Sequence, residues 1–175
     1  MRNAILCLAV LLFGSFAVVM SATTNSGVDG AFKRIQSLAG DWEGKDDHGM
    51  TAKTSFKVIV KNTTVMETLN MSGMEEMVTL YSIDGDAVSL IHYCPTNNQP
   101  HMQALPPSGP IQELVFDFKD ARNLSSPAAG HEQKLVMRFV DVNHITETWT
   151  WRRDGSDTLM TYNFSRKKPE PSKQK

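Results

Sequence analysis

Leu38-Ala39-Gly40-Asp41-Trp42-Glu43-Gly44 is where the periodicity of this chain changes. Before it, Phe32, Ile35 and Leu38 recur at helical spacing, with Lys33, Arg34 and Gln36 on the other face. That pattern predicts one amphipathic helix over Val28 to Leu38, with Asp29 as N-cap and Gly40 as stop. After Gly40 the apolar residues recur every second position, the spacing of half-buried strands.

The strands come at short, steady intervals. Trp42 to Lys45 is the first, and Lys45-Asp46-Asp47-His48-Gly49 makes a turn. Ala52 to Lys61 alternates, with Phe56, Val58 and Val60 on one face. Thr64 to Asn70, Met77 to Ile83 and Val88 to Cys94 follow, and Asp84-Gly85-Asp86 is a hairpin signal. A polar loop with prolines, Pro95 to Pro110, carries a short strand at His101 to Ala104. Ile111 to Phe118, Lys134 to Val140, Asn143 to Arg152 and Asp157 to Ser165 complete the series, with a loop over Asp120 to Glu132. Tight hairpins in meander order, without a paired-cysteine sandwich signature, predict an all-β fold. The expected form is an antiparallel up-and-down β-barrel of about nine to ten strands with a short N-terminal helix.

The ends of the chain read differently. Met1-Arg2-Asn3, the apolar run Ile5 to Met20 and the small pair Ser21-Ala22 have the form of a secretory signal peptide over residues 1–22. The apolar run is shorter than the ~20 residues a spanning helix needs, so no stable membrane insertion is expected after cleavage. The expected domain is 23–168, and the Pro-, Lys- and Gln-rich residues 169–175 are expected to be a disordered tail. The expected location is therefore secreted, or periplasmic in a bacterium. Without Cys7 the mature domain keeps one cysteine, Cys94, and no intramolecular disulfide; a buried strand position is expected for it. Eighteen Lys and Arg balance nineteen Asp and Glu. No basic stripe is present, so nucleic acid is not an expected partner. Asn62, Asn70, Asn123 and Asn163 begin Asn-x-Ser/Thr sequons, glycosylation sites in a eukaryotic secretory pathway.

Together these segments resemble the calycin superfamily of lipocalin-like barrels. The residues that carry the likeness are the helix, Gly40-Asp41-Trp42 and the meander. A closer likeness is to a lipocalin-like family of unknown function. It runs through Leu38-Ala39-Gly40-x-Trp42, Val65-Met66-Glu67-Thr68-Leu69, Glu76 to Tyr81, His92-Tyr93-Cys94 and Asn98-Gln99-Pro100, and covers residues 30 to 165. The resemblance implies a barrel around a pocket and brings no activity with it. It also implies structural roles for Gly40 and Trp42 at the closed end, and Arg152 as the basic residue over Trp42.

Strand parity gives the barrel an inside. Glu67 shares a face with Val65 and Leu69, Glu147 with Ile145, Trp149 and Trp151, and His92 and Cys94 with Val88 and Leu90. Buried carboxylates need partners or a proton. Glu67, His92 and Glu147 are therefore candidates to meet the polar end of a ligand. As structural contacts they would instead pair with Tyr81, Arg152 or backbone amides. Phe56, Met77, Phe116, Met137, Phe139 and Trp149 are expected around the ligand's apolar body, with Tyr81. Asn98, Gln99 and His101 are expected in a lip at the barrel mouth.

The resulting expectation is a secreted, non-catalytic barrel holding a small apolar or amphipathic molecule, with no cofactor. Two alternatives stand beside it. One is an enzyme of isomerase or lyase type using Glu67, His92 and Glu147 as a general acid-base group. The other is a metal or haem protein, for which His92, Cys94 and His101 are the candidate ligands.

Overall fold

The computed structural model describes residues 26–168, so the signal-peptide and tail expectations lie outside the described residues. The helix α1 spans Ser26–Gln36, two residues earlier than its pattern predicts at each end, which puts Asp29 in its first turn. Ten strands follow: β1 (Gly40–Asp46), β2 (Thr51–Ile59), β3 (Thr64–Met71), β4 (Met77–Asp84) and β5 (Ala87–Tyr93). Then come β6 (Gln99–Ala104), β7 (Glu113–Arg122), β8 (His131–Phe139), β9 (His144–Arg153) and β10 (Ser156–Arg166). Each pairs antiparallel with its chain neighbour, and β1 pairs with β10 to close the barrel. Closure leaves no unpaired sheet edge.

Most boundaries fall within a residue or two of the pattern, and three differences have a physical cause. The strand expected through Lys61 stops at Ile59. Val60, Lys61 and Asn62 take positive φ in a single tight turn, and Gln36 donates from Nε2 to the Asn62 carbonyl. The helix thus docks on the turn that ends β2. The segment after Cys94 is less of a loop than its prolines suggest. Pro100 starts no break, because β6 occupies Gln99–Ala104 between β5 and β7. Finally, β7 runs on to Arg122 past an irregularity opposite His101 and Met102.

The helix plugs one end of the barrel. Val28, Ala31, Phe32 and Ile35 are buried, spaced at i, i+3, i+4 and i+7 so that one stripe faces the interior. Gly40 then turns the chain into β1 at a φ of 125°, a conformation a side chain would strain. Trp42 lies beneath this junction and donates from Nε1 to the Leu38 carbonyl at 2.8 Å. The basic residue over Trp42 is Arg166, not Arg152: its guanidinium sits 4.1 Å from the Trp42 ring. Arg166 also donates to the carbonyls of Ser37 and Ala39, tying β10 to the end of α1. Arg152 lies outside the barrel, where it forms a fork with Asp157. Parity explains the substitution, since Trp42 pairs directly with Arg166 across the β1–β10 seam.

Candidate functional site

The interior fills unevenly from the plugged end to the open end. Phe56, Phe116, Met137 and Phe139 are buried in the core inside the barrel. None of the four lines the cavity at the open end, and Phe139 borders hollows beside Arg34 at the helix end. Phe139 also carries the Arg34 guanidinium over its ring, 4.8 Å away, at the helix end.

Above this packing lies a layer of two carboxyl groups. Glu67 on β3 and Glu147 on β9 both point inward, as parity predicts, and both are fully buried. Thr54 donates to Glu67 Oε1 at 2.8 Å and Tyr81 donates to Oε2 at 2.7 Å. Trp149 Nε1 donates to Glu147 Oε2 at 3.2 Å, while Glu147 Oε1 has no hydrogen-bond partner. Burial pushes both carboxyls above the ordinary range. The hydroxyls of Tyr81 and Thr54 draw Glu67 partly back, whereas the charge of Glu67 raises Glu147 further. Of the two, Glu147 is the carboxyl raised further. Tyr81 is raised well above its usual value by burial and by these carboxylates, so it remains a donor.

One step nearer the open end is a cavity of about 320 Å³. Leu69 and Met71 reach it from β3, Met74 from the following turn and Met77 from β4. His92 comes from the end of β5, with Cys94, Pro95 and Thr96 just beyond. Glu132 comes from β8, Trp149 and Trp151 from β9, and Thr158, Met160 and Tyr162 from β10. The lining is thioether, indole and aliphatic carbon with a few polar atoms among them. Tyr162 Oη donates to Met71 Sδ at 2.6 Å, which fixes one wall.

Two polar atoms of this lining are buried without partners: His92 Nε2 and Glu132 Oε2. His92 shares its Nδ1 with Thr79 Oγ1 at 3.0 Å and stacks obliquely on Trp149, 4.9 Å between ring centres. Burial lowers its pKa to about 4, so the ring is neutral near pH 7. Glu132 is 5 % exposed, and burial raises its carboxyl to about 8. Unpartnered buried polar atoms are uncommon and costly, and this one apolar cavity carries two of them.

Glu132 escapes the sequence reading, which leaves it in a loop. Counting back from the inward Leu135 and Met137 by twos would reach Gln133 and turn Glu132 outward. A bulge changes the phase: Glu132 faces Trp151 and Lys134 faces Thr150, leaving Gln133 as the extra residue. Glu132 thereby joins the inner face beside Trp151.

The remaining candidates separate. Asn98 is buried at the mouth, donating from Nδ2 to the Gly130 carbonyl at 2.8 Å, and so ties the β5–β6 loop to the β7–β8 loop. Gln99 is half-buried and donates to the Asn97 carbonyl. His101 points out of the barrel, between Ser89 Oγ at 2.9 Å and Asp120 Oδ2 at 3.1 Å, and takes no part in the cavity. The lip expected of these three is thus made by Pro95 and Thr96, with Asn98 beneath it. Cys94 lies just past β5 and is half-buried in the cavity wall, where Thr96 donates to its Sγ, rather than buried in a strand. His92, Cys94 and His101 are not brought together. Among the described residues no three His, Cys, Asp or Glu side chains converge to hold a metal ion. Nor do Glu67, His92 and Glu147 form one hydrogen-bonded chain, since His92 bonds to Thr79. The sequon residues Asn62, Asn70, Asn123 and Asn163 are all exposed.

Comparison with protein-family models finds no match to this chain, and comparison with curated proteins finds none.

Proposed function

We propose that the protein is a secreted small-molecule-binding barrel whose ligand lies at the open end, with an apolar body and one polar group. The observation that carries this reading is the apolar cavity with the unpartnered His92 Nε2 and Glu132 Oε2 in its wall. Ligand sites are commonly apolar hollows with a few placed polar atoms. Here Met71, Met77 and Met160 supply soft, adaptable contact and Trp149 and Trp151 supply flat faces. The carboxyl pair beneath serves as a floor on which Glu147 holds the Trp149 indole. The signal-like start of the sequence supports secretion.

The test is a titration with an apolar fluorescent dye and a panel of alkyl and aryl compounds. Binding is expected to saturate at one site per chain and to alter tryptophan emission, because two of the three tryptophans line the cavity. A panel in which nothing binds overturns the proposal.

A further inference from the structure

We propose that the polar group taken by this cavity is an ammonium, so that the ligand is an amphiphilic amine with Glu132 as its counter-ion. This rests on the binding-barrel reading and adds the charge of the ligand to it.

The lining decides the sign. It contains one carboxyl and neither Lys nor Arg. A fatty acid or other anionic head group would be placed beside Glu132 with no cation to receive it. An ammonium finds three complementary features. Glu132 Oε2 is an acceptor in need of a donor. His92, held neutral, offers the lone pair of Nε2 when Nδ1 carries the ring proton toward Thr79. The indoles of Trp149 and Trp151 present faces that attract cations. Tyr162 is raised by burial and then by nearby carboxylates, Asp46 first, so its hydroxyl stays protonated and supplies no cation to the cavity. The titratable groups that line the cavity with Glu132 are His92 and Cys94 from the β5 end and Tyr162 on β10, while His131, Lys134 and Arg152 flank it in the β8–β9 ladder. Arg153 lies beside Gly130 at the rim and does not pair with Glu132.

Binding would be coupled to proton release. In the empty cavity the Glu132 carboxyl, raised by burial to about 8, holds its proton near neutral pH. An arriving R–NH₃⁺ favours the carboxylate, the Glu132 proton passes to buffer, and a charge-assisted pair remains. Amine affinity then rises with pH up to about 8, by as much as tenfold per unit.

The experiment compares decylamine, decanol and decanoate, which share an apolar body and differ in the head group. Affinities are read by tryptophan emission, and proton release by calorimetry in buffers of different ionisation enthalpy. The amine is expected to bind at least tenfold more tightly than the other two and to release close to one proton near neutral pH. Glu132→Gln is expected to bring the amine down to the affinity of decanol. Equal affinities, preference for decanoate, or binding of the amine without proton release each overturn the ammonium assignment while leaving the binding barrel standing. These comparisons use the wild-type chain and do not depend on the variant. If none of the three binds, the barrel reading itself fails, and the assignment with it.

Discussion

Burial shifts the proton affinities of single residues in this interior, and that shows in stability. Glu132 has a folded pKa of about 8 against an ordinary 4.5. Its folded state therefore binds the proton more tightly, and the stability it contributes is present below pH 4.5 and lost as pH rises toward 8. His92 is the reverse. Its pKa falls from 6.5 to about 4, so its contribution is present above 6.5 and lost as pH falls toward 4. Between 4.5 and 6.5 the two oppose each other. Above 6.5 the Glu132 slope remains. The urea midpoint is expected to fall as pH is raised from 6.5 to 8. Glu132→Gln should remove up to about 1.4 kcal/mol per pH unit of that fall. An identical slope in the variant would show that Glu132 is not a buried titrating group. The residue scale also shows the limits of parity in the sequence. Glu67, His92 and Glu147 are inward as alternation predicts. Glu132 is not visible by the same rule, because one extra residue in β8 shifts the phase. For Arg166 the alternation of β9 already turns Arg152 outward, and the β1–β10 register then sets Arg166 opposite Trp42.

At the scale of elements, the mouth is built from loop-to-loop ties rather than from strands. Asn98 holds the β7–β8 turn through the Gly130 carbonyl, and Gly130 lets the Trp151 indole lie flat against that turn. A Cβ on Gly130 would fall 2.3 Å from Trp151 Cζ2. Gly130→Ala must therefore push the indole into the cavity or lift the turn. Overpacking of this kind costs about 1–3 kcal/mol. The variant should show a lower urea midpoint, a shifted tryptophan emission and weaker dye binding. Unchanged emission and affinity would mean that the turn, not the indole, gives way. Strands and their order were legible because each carries its own alternation and turn residues. The β6 strand was only half legible, since Pro100 and the polar run around it read as loop. Its proline is tolerated because Pro100 is paired with Ala121 of β7 but lies before the pairing with β5 begins at His101.

The whole molecule divides its labour between two ends. One is sealed by α1, Trp42 and Arg166, and the other holds the cavity, with the carboxyl pair between them. Alternation along a strand tells inside from outside but not which end of the barrel a residue occupies. That is why Phe56, Phe116, Met137 and Phe139 read as ligand contacts in the sequence, although they lie in the core away from the open-end cavity. Position along the barrel axis follows only once the register is known and the helix is seen to plug one rim. The division makes stability and binding separable. Ile35, fully buried in the plug, should lose about 2–4 kcal/mol on replacement by Ala, since a large buried side chain is removed and the barrel rim cannot collapse onto the space. Dye affinity, measured well below the unfolding midpoint, should be unchanged. Met160→Trp should do the opposite. Met160 is half-buried in the cavity wall, so a larger ring there fills the cavity with little strain on the core. It should abolish dye binding, followed by the dye's own emission, at nearly wild-type stability. A plug variant that loses affinity in step with stability, or a cavity variant that still binds, would show that the two ends are one cooperative site and that the ligand reaches past the carboxyl pair.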